Sequence, residues 1–442
     1  MLRQHLRPNF LLAYPVMLSM LGQVMTGVAD SVMVGWTGAT PLAASSFANI
    51  FFSVILFFGV GVSYAITPLV AEAEGANDES RIIAILKNGT LINVAVGFIL
   101  VGLVFLAEPF MIYMGQPEEV VTLGVPYLSI IAVSIIPTMI FQTYRQFGEG
   151  LARTRMAMVI VIASNLLNIL LNYVLIFGKY GFPELGLNGA GWATLIARCV
   201  MALSMMLYVY YGRRFTAFRQ GFSMGNYSSA LVSKMLHIGL PAGSQFIFEA
   251  GAFGLSAIMM GWLGTTALAA HQIAINLATI SYMTTSGLGA AATIRVGIFL
   301  GQRDKRNLRG AAFSMILMGV CLMMAWALLF ILGRYFLPSL YIDDPEVIKF
   351  TASLLIIAAF FQLSDGIQVV CAGALRGLQD VKIPSLLIFV AYWVIALPLG
   401  YWLAFPLGLG VNGIWIGLFV GLTLTAIAMV IRFNRLSKKQ LE

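Results

Sequence analysis

What most constrains this chain is the recurrence, from end to end, of apolar runs about 20 residues long, the length that carries an α-helix across the hydrocarbon core of a bilayer. These runs predict helices over 10–36, 43–71, 85–107, 121–148, 156–178 and 189–212. After a polar stretch they predict six more, over 235–262, 267–300, 309–332, 347–374, 384–404 and 411–433. Only 10% of residues are charged, against roughly a quarter in a soluble domain, so no soluble domain is expected. The first run follows Arg3 and Arg7 but is too long for a signal-peptide core and lacks a small-residue cleavage site, so it reads as a retained helix.

The basic residues orient these spans. Of 26 lysines and arginines, only Lys179, Arg334 and Lys349 fall in or beside the connections after odd-numbered helices, and Arg198 lies within a span. The rest gather at the termini and the other connections, as in "RR" at 213–214, "RDKRNLR" at 303–309 and "RFNRLSKK" at 432–439. The positive-inside rule then places both termini in the cytoplasm, for a multi-pass protein of the cytoplasmic (inner) membrane. The formal charge of +8 is thereby a topology signal; the lipid bilayer is the expected partner and nucleic acid is not. "NGT" at 88–90 and "NYS" at 226–228 fall on the cytoplasmic side and are not read as glycosylation sites.

The two halves repeat each other. "SVMVGWTGATPLAASSFANI" at 31–50 aligns with "AIMMGWLGTTALAAHQIAIN" at 257–276, and "EGANDES" at 74–80 with "LGQRDKR" at 300–306, both at an offset of 226. "GQPEEV" at 115–120 matches "DDPEV" at 343–347, and "GLNGAG" at 186–191 meets "GVNGIW" at 410–415. An even number of spans per half gives both halves the same topology, a parallel repeat of the kind transporters use around a central site. The expected fold class is an all-α polytopic membrane protein, twelve transmembrane helices in two six-helix bundles. The expected division is an N-terminal bundle over 1–212, a cytoplasmic linker over 213–234 and a C-terminal bundle over 235–442.

Three acids lie well inside spans: Asp30, Glu249 and Asp365. An intramembrane acid is costly and is functional by default. With no lysine or arginine evident at the same depth, each can stay protonated or hold a cation, either of which makes it a coupling site for H⁺ or Na⁺. Asn165, Asn168 and Asn172 share one helical face; they are either glue between helices or donors into the same cavity as Asp30. His271, Gln272 and Asn276 extend the polar set, although a single helical histidine is more often a packing residue. Arg198 and Arg295 read as snorkelling or buried against carbonyls. Pro15, Pro137 and Pro241 fall within spans and permit kinks, while Gly413, Gly417 and Gly421 offer a small-residue face for close packing.

Other chemistries find no footing. Cys199, Cys321 and Cys371 have no paired spacing and read as small buried packing residues. "GLGVNG" at 408–413 has the glycine spacing of a dinucleotide site but opens a membrane helix instead of a βαβ unit. Neither a Walker A sequence nor a zinc-like spacing occurs, so no cofactor is expected and a membrane-embedded enzyme is the weaker alternative. A channel is disfavoured by the six-plus-six repeat. The nearer alternative is a flippase for a lipid-linked oligosaccharide, which calls for a cationic cavity where this chain has acids.

"VADSVMVGW", "GLPAGSQFIFEAGAF", "ALAAHQIAIN" and "FQLSDGIQVVCAGALRG" together resemble the multidrug and toxic compound extrusion (MATE) transporters, most closely the NorM-like branch, over nearly the whole chain. The resemblance implies export of small organic cations (drugs and dyes) in exchange for Na⁺ or H⁺, by a transporter that is not an enzyme and is expected as a monomer. It implies that Asp30, Asn168 and Asn172 form the polar cluster of the N-terminal bundle. It also implies that Glu249 and Asp365 are the cation-coordinating acids, a possible Na⁺ site, of the C-terminal bundle. His271, Gln272 and Phe361 are expected as further cavity residues. Phe361 departs from the tyrosine of some Na⁺-coupled members and removes one oxygen ligand.

Overall fold

The computed structural model describes residues 2–114, 116–223 and 225–439. Its long helices are α1 Leu2–Gly35, α2 Ala39–Gly75, α3 Glu79–Met114, α4 Glu118–Gly150, α5 Arg155–Phe177 and α6 Gly186–Tyr211. They continue with α7 Ser229–Trp262, α8 Thr265–Gly301, α9 Lys305–Leu332, α10 Pro345–Gly377, α11 Lys382–Ala404 and α12 Gly410–Lys439. No strand occurs among the described residues. Eleven of these helices are long and apolar enough to cross a membrane; α7, with 34 residues, is the other expected span. Three spans are locally interrupted: α2 by a turn at Tyr64–Ala65, α4 at Ser134, and α11 by a π-helical segment over Val390–Ala396.

The repeat is present in the backbone as well as the letters. Each helix of the first half starts 224 to 227 residues before its counterpart in the second. Asp78 accepts from the Arg81 amide at the start of α3, and Asp304 from the Asn307 amide at the start of α9. Each cap satisfies an orphan N–H of the first turn. Each follows a residue in the left-handed region, Asn77 (φ 54°) or Arg303 (φ 56°). The capping amides hold both carboxyls below the usual carboxylate range.

Helix crossings repeat too. The Thr67 hydroxyl donates to the Gln146 carbonyl at 3.2 Å, and the Thr293 hydroxyl to the Gly373 carbonyl at 2.8 Å. One turn further on, a Cβ on Gly150 would lie 2.7 Å from Val70, and one on Gly377 2.8 Å from Val296. These pairs sit at matching positions, so α2 meets α4 as α8 meets α10. Gly413, Gly417 and Gly421 of α12 each leave no room for a Cβ against α11, the close packing expected of that face.

The chain forms two compact units, one over Leu18–Gly243 and one made of the described residues of Met1–Met17 and Ser244–Glu442. These limits differ from the expected 1–212, 213–234 and 235–442. The first seventeen residues belong with the second half, and the start of α7 with the first. Both switches fall two residues after a proline, Pro15 and Pro241, which lacks the N–H that would tie that turn to the one before. In the first unit α7 packs on α2 where a Cβ on Gly61 would lie 2.5 Å from the Gly243 Cα; in the second α1 packs on α8 where a Cβ on Gly287 would lie 2.6 Å from the Met17 nitrogen. Nor is the polar stretch after α6 a free linker. A short helix over Arg213–Phe222 buries Phe215 and Phe218 against Phe147.

Candidate functional site

Both units hold intramembrane acids, and Asp30 in the first and Glu249 in the second accept from polar neighbours. In the first unit, α5 brings the Asn172 amide to Asp30 Oδ1 at 2.5 Å, and α6 brings the Thr194 hydroxyl to Oδ2 at 3.4 Å. Asn172 also donates to Asn168 Oδ1 at 3.3 Å, and Asn168 to Thr194 at 3.4 Å. Asn168 and Asn172 are buried while Asp30 is half-buried, so the donors that reach the carboxylate are themselves packed in the protein. Asn165 goes elsewhere, donating to the Gly22 carbonyl at 2.7 Å. Two of the three asparagines on that face therefore join the acid, and the third ties α5 to the backbone of α1.

In the second unit, Gln368 Nε2 donates to Glu249 Oε1 at 3.0 Å. Asp365 lies one turn earlier on α10, 5% exposed, and feels the charge of Glu249. Tyr392, in the π-helical segment of α11, lies within electrostatic reach of both acids. The buried amide oxygens Gln362 Oε1 and Gln368 Oε1 have no hydrogen-bond partner; they stand one turn either side of Asp365. This stretch of α10 thus carries one carboxyl and two unpartnered amide oxygens, with the Glu249 carboxyl bonded to it and the Tyr392 phenol within electrostatic reach. None of the three acids has an ion pair; those among the described residues are Arg81–Glu72, Arg145–Glu149 and Arg432–Asp380.

The remaining expected cavity residues make contacts of other kinds. Trp415 Nε1 donates to His271 Nδ1 at 3.1 Å, and the two rings meet edge to face. Phe361 is buried between Phe253 and Trp415. Gln272 is exposed and donates to Asn276 at 3.3 Å. Among the charged residues, Arg198 has neither expected partner. Its guanidinium donates to the Ser134 hydroxyl at 2.7 Å and lies over the Phe52 ring. Cys199 and Cys321 are exposed and only Cys371 is buried, which corrects the expectation of three buried thiols; two lie on outer helix faces.

Thr194, Gln368 and Tyr392 were not singled out from the sequence. Gln368 had a readable signal, since it stands three residues after Asp365 on the same helical face. Thr194 and Tyr392 had none, because each is a single polar group in an apolar stretch. The π-helical turn that sets the register of Tyr392 has no sequence mark.

A family profile described as MatE matches residues 15–174 and 241–402, once in each half. The chain is 34% identical over 443 residues to a probable multidrug resistance protein NorM of Agrobacterium fabrum, covering 99% of this chain and 95% of that one. Solved structures share the fold. A MATE in the bent conformation superposes with a TM-score of 0.90 at 21% identity, over 100% of this chain and 98% of that one. The eukaryotic MATE transporter AtDTX14 gives 0.88 at 19% identity, over 99% and 98%.

Proposed function

Because this chain belongs to the MatE family of transporters, we propose that it is a secondary active multidrug efflux antiporter. It exports small organic cations in exchange for Na⁺ or H⁺ by alternating access. The observation that carries this reading is that the intramembrane carboxyls of Asp30 and Glu249 are held by neutral amides and a hydroxyl and, among the described residues, by no ion pair. A carboxylate so held keeps lone pairs free for a proton, a metal cation or an ammonium group. The cost of leaving it empty in low dielectric favours exchange of one cation for another over release.

The two sites suit different partners. At Asp30 a single carboxylate with two neutral donors is matched to a proton or to one positive charge on a substrate. At Glu249 and Asp365 the unpartnered oxygens of Gln362 and Gln368 add acceptors that a proton on one carboxyl would leave unsatisfied. Hard oxygen ligands of that kind suit a small cation such as Na⁺. The protein acts in the inner membrane with both termini cytoplasmic, needs no cofactor and works as a monomer.

Ethidium transport in everted vesicles, driven separately by a Na⁺ gradient and a pH gradient, tests the reading. One gradient is expected to drive uptake, and Asp30→Asn, Glu249→Gln and Asp365→Asn each to reduce it at least tenfold with membrane insertion unchanged. Absence of transport under both gradients overturns the antiporter reading in favour of a lipid-linked oligosaccharide flippase.

A further inference from the structure

Arg198 is an arginine inside a span that the export reading does not use. It lies one turn after Thr194 on α6, and the Thr194 hydroxyl bonds Asp30, so α6 presents a neutral donor and then a fixed cation along one face. The guanidinium is held away from the carboxylate by partners of its own, the Ser134 hydroxyl at 2.7 Å and the Phe52 ring at 4.9 Å. Arg198 and Asp30 act on each other electrostatically but form no ion pair. Tyr127, which also feels both charges, is the remaining titratable group there, and Asn168 and Asn172 are neutral.

We propose that Arg198 is a specificity-determining residue that sets the charge the Asp30 site accepts. With one carboxylate and one resident guanidinium the site is close to neutral, so a single positive charge binds beside Asp30 while a second meets repulsion. Ser134 and Phe52 keep this cation at a constant distance, where a mobile arginine would close on Asp30 and block it. An arginine there for packing alone would affect ligands of every charge alike, whereas a field acts in proportion to ligand charge.

The inference rests on the cation-export reading, and a matched pair of dyes separates the two. Ethidium carries one positive charge and propidium, on the same ring system, carries two. Binding of each to the purified full-length protein is measured by fluorescence. Arg198→Gln is expected to tighten ethidium about tenfold and propidium about a hundredfold, one factor of ten per unit of ligand charge. Arg198→Lys, which keeps the charge, should leave the ratio of the two affinities unchanged. Equal shifts for both dyes, or a lysine variant behaving like the glutamine one, overturn the assignment. If Arg198→Gln does not reach the membrane, Ser134→Ala carries the test. Without its hydroxyl anchor the guanidinium approaches Asp30, and propidium should weaken more than ethidium; equal weakening, or none, overturns it. A parent protein that binds neither dye overturns the export reading, and this inference with it.

Discussion

A carboxyl group within a bilayer is tolerated when its neighbours can meet both its charge and its lone pairs, and at Asp30 and Glu249 amides and a hydroxyl donate to it. Asn172 supplies the shortest contact to Asp30, and hydrogen bonds to a charged group contribute about 1.5–3 kcal/mol. Asn172→Leu should therefore reduce ethidium transport roughly tenfold or more. Asn165→Leu, whose amide serves the Gly22 carbonyl, should leave transport near the parent and cost about 1 kcal/mol in thermal stability. Comparison of initial rates with unfolding temperatures separates the two asparagines. Their shared face was legible in the spacing of the letters. That Asn165 parts from the other two was not, because the choice depends on which helix passes each position. His271 shows the same limit. Its sequence admitted either a ligand or a packing residue, and only the indole of Trp415, 144 positions away, supplies the Nδ1 partner.

At the scale of helices, the number of spans and the offset between halves could be read directly, since hydrophobic period and repeated letters are local properties. The crossings could not, because Thr67 and Gln146 are joined by tertiary packing. They now make a paired prediction. Gly150 and Gly377 each face a valine with no space for a side chain, and overpacking of this kind costs about 1–3 kcal/mol. Gly150→Ala and Gly377→Ala should lower the unfolding temperature by similar amounts, whereas Gly102→Ala, which faces open space, should not. The caps give a pH dependence of definite sign. Asp78 and Asp304 have depressed carboxyls in the folded protein, so their contribution is complete above the ordinary carboxylate range and fades as pH falls through it. Asp78→Ala and Asp304→Ala should show a smaller loss of thermal stability between pH 6 and about pH 3 than the parent.

For the whole molecule, the asymmetric placement of lysine and arginine makes orientation testable. In a cysteine-free background, Lys179→Cys should react with a membrane-impermeant maleimide added to intact cells, and Arg303→Cys only after the membrane is opened; the reverse pattern would invert the assigned topology. The division into units was the least legible property, because it turns on two prolines inside continuous helices and not on a break in composition. That division has a consequence for a severed backbone. The polar stretch 213–228 has the look of a tether, yet its described residues all belong to the unit over Leu18–Gly243, and the described chain passes from unit to unit only within α1 and α7. A protease cutting after Arg219 would leave two fragments, each threaded through both units, so that neither unit is released and the nicked protein stays stitched together by its own helices.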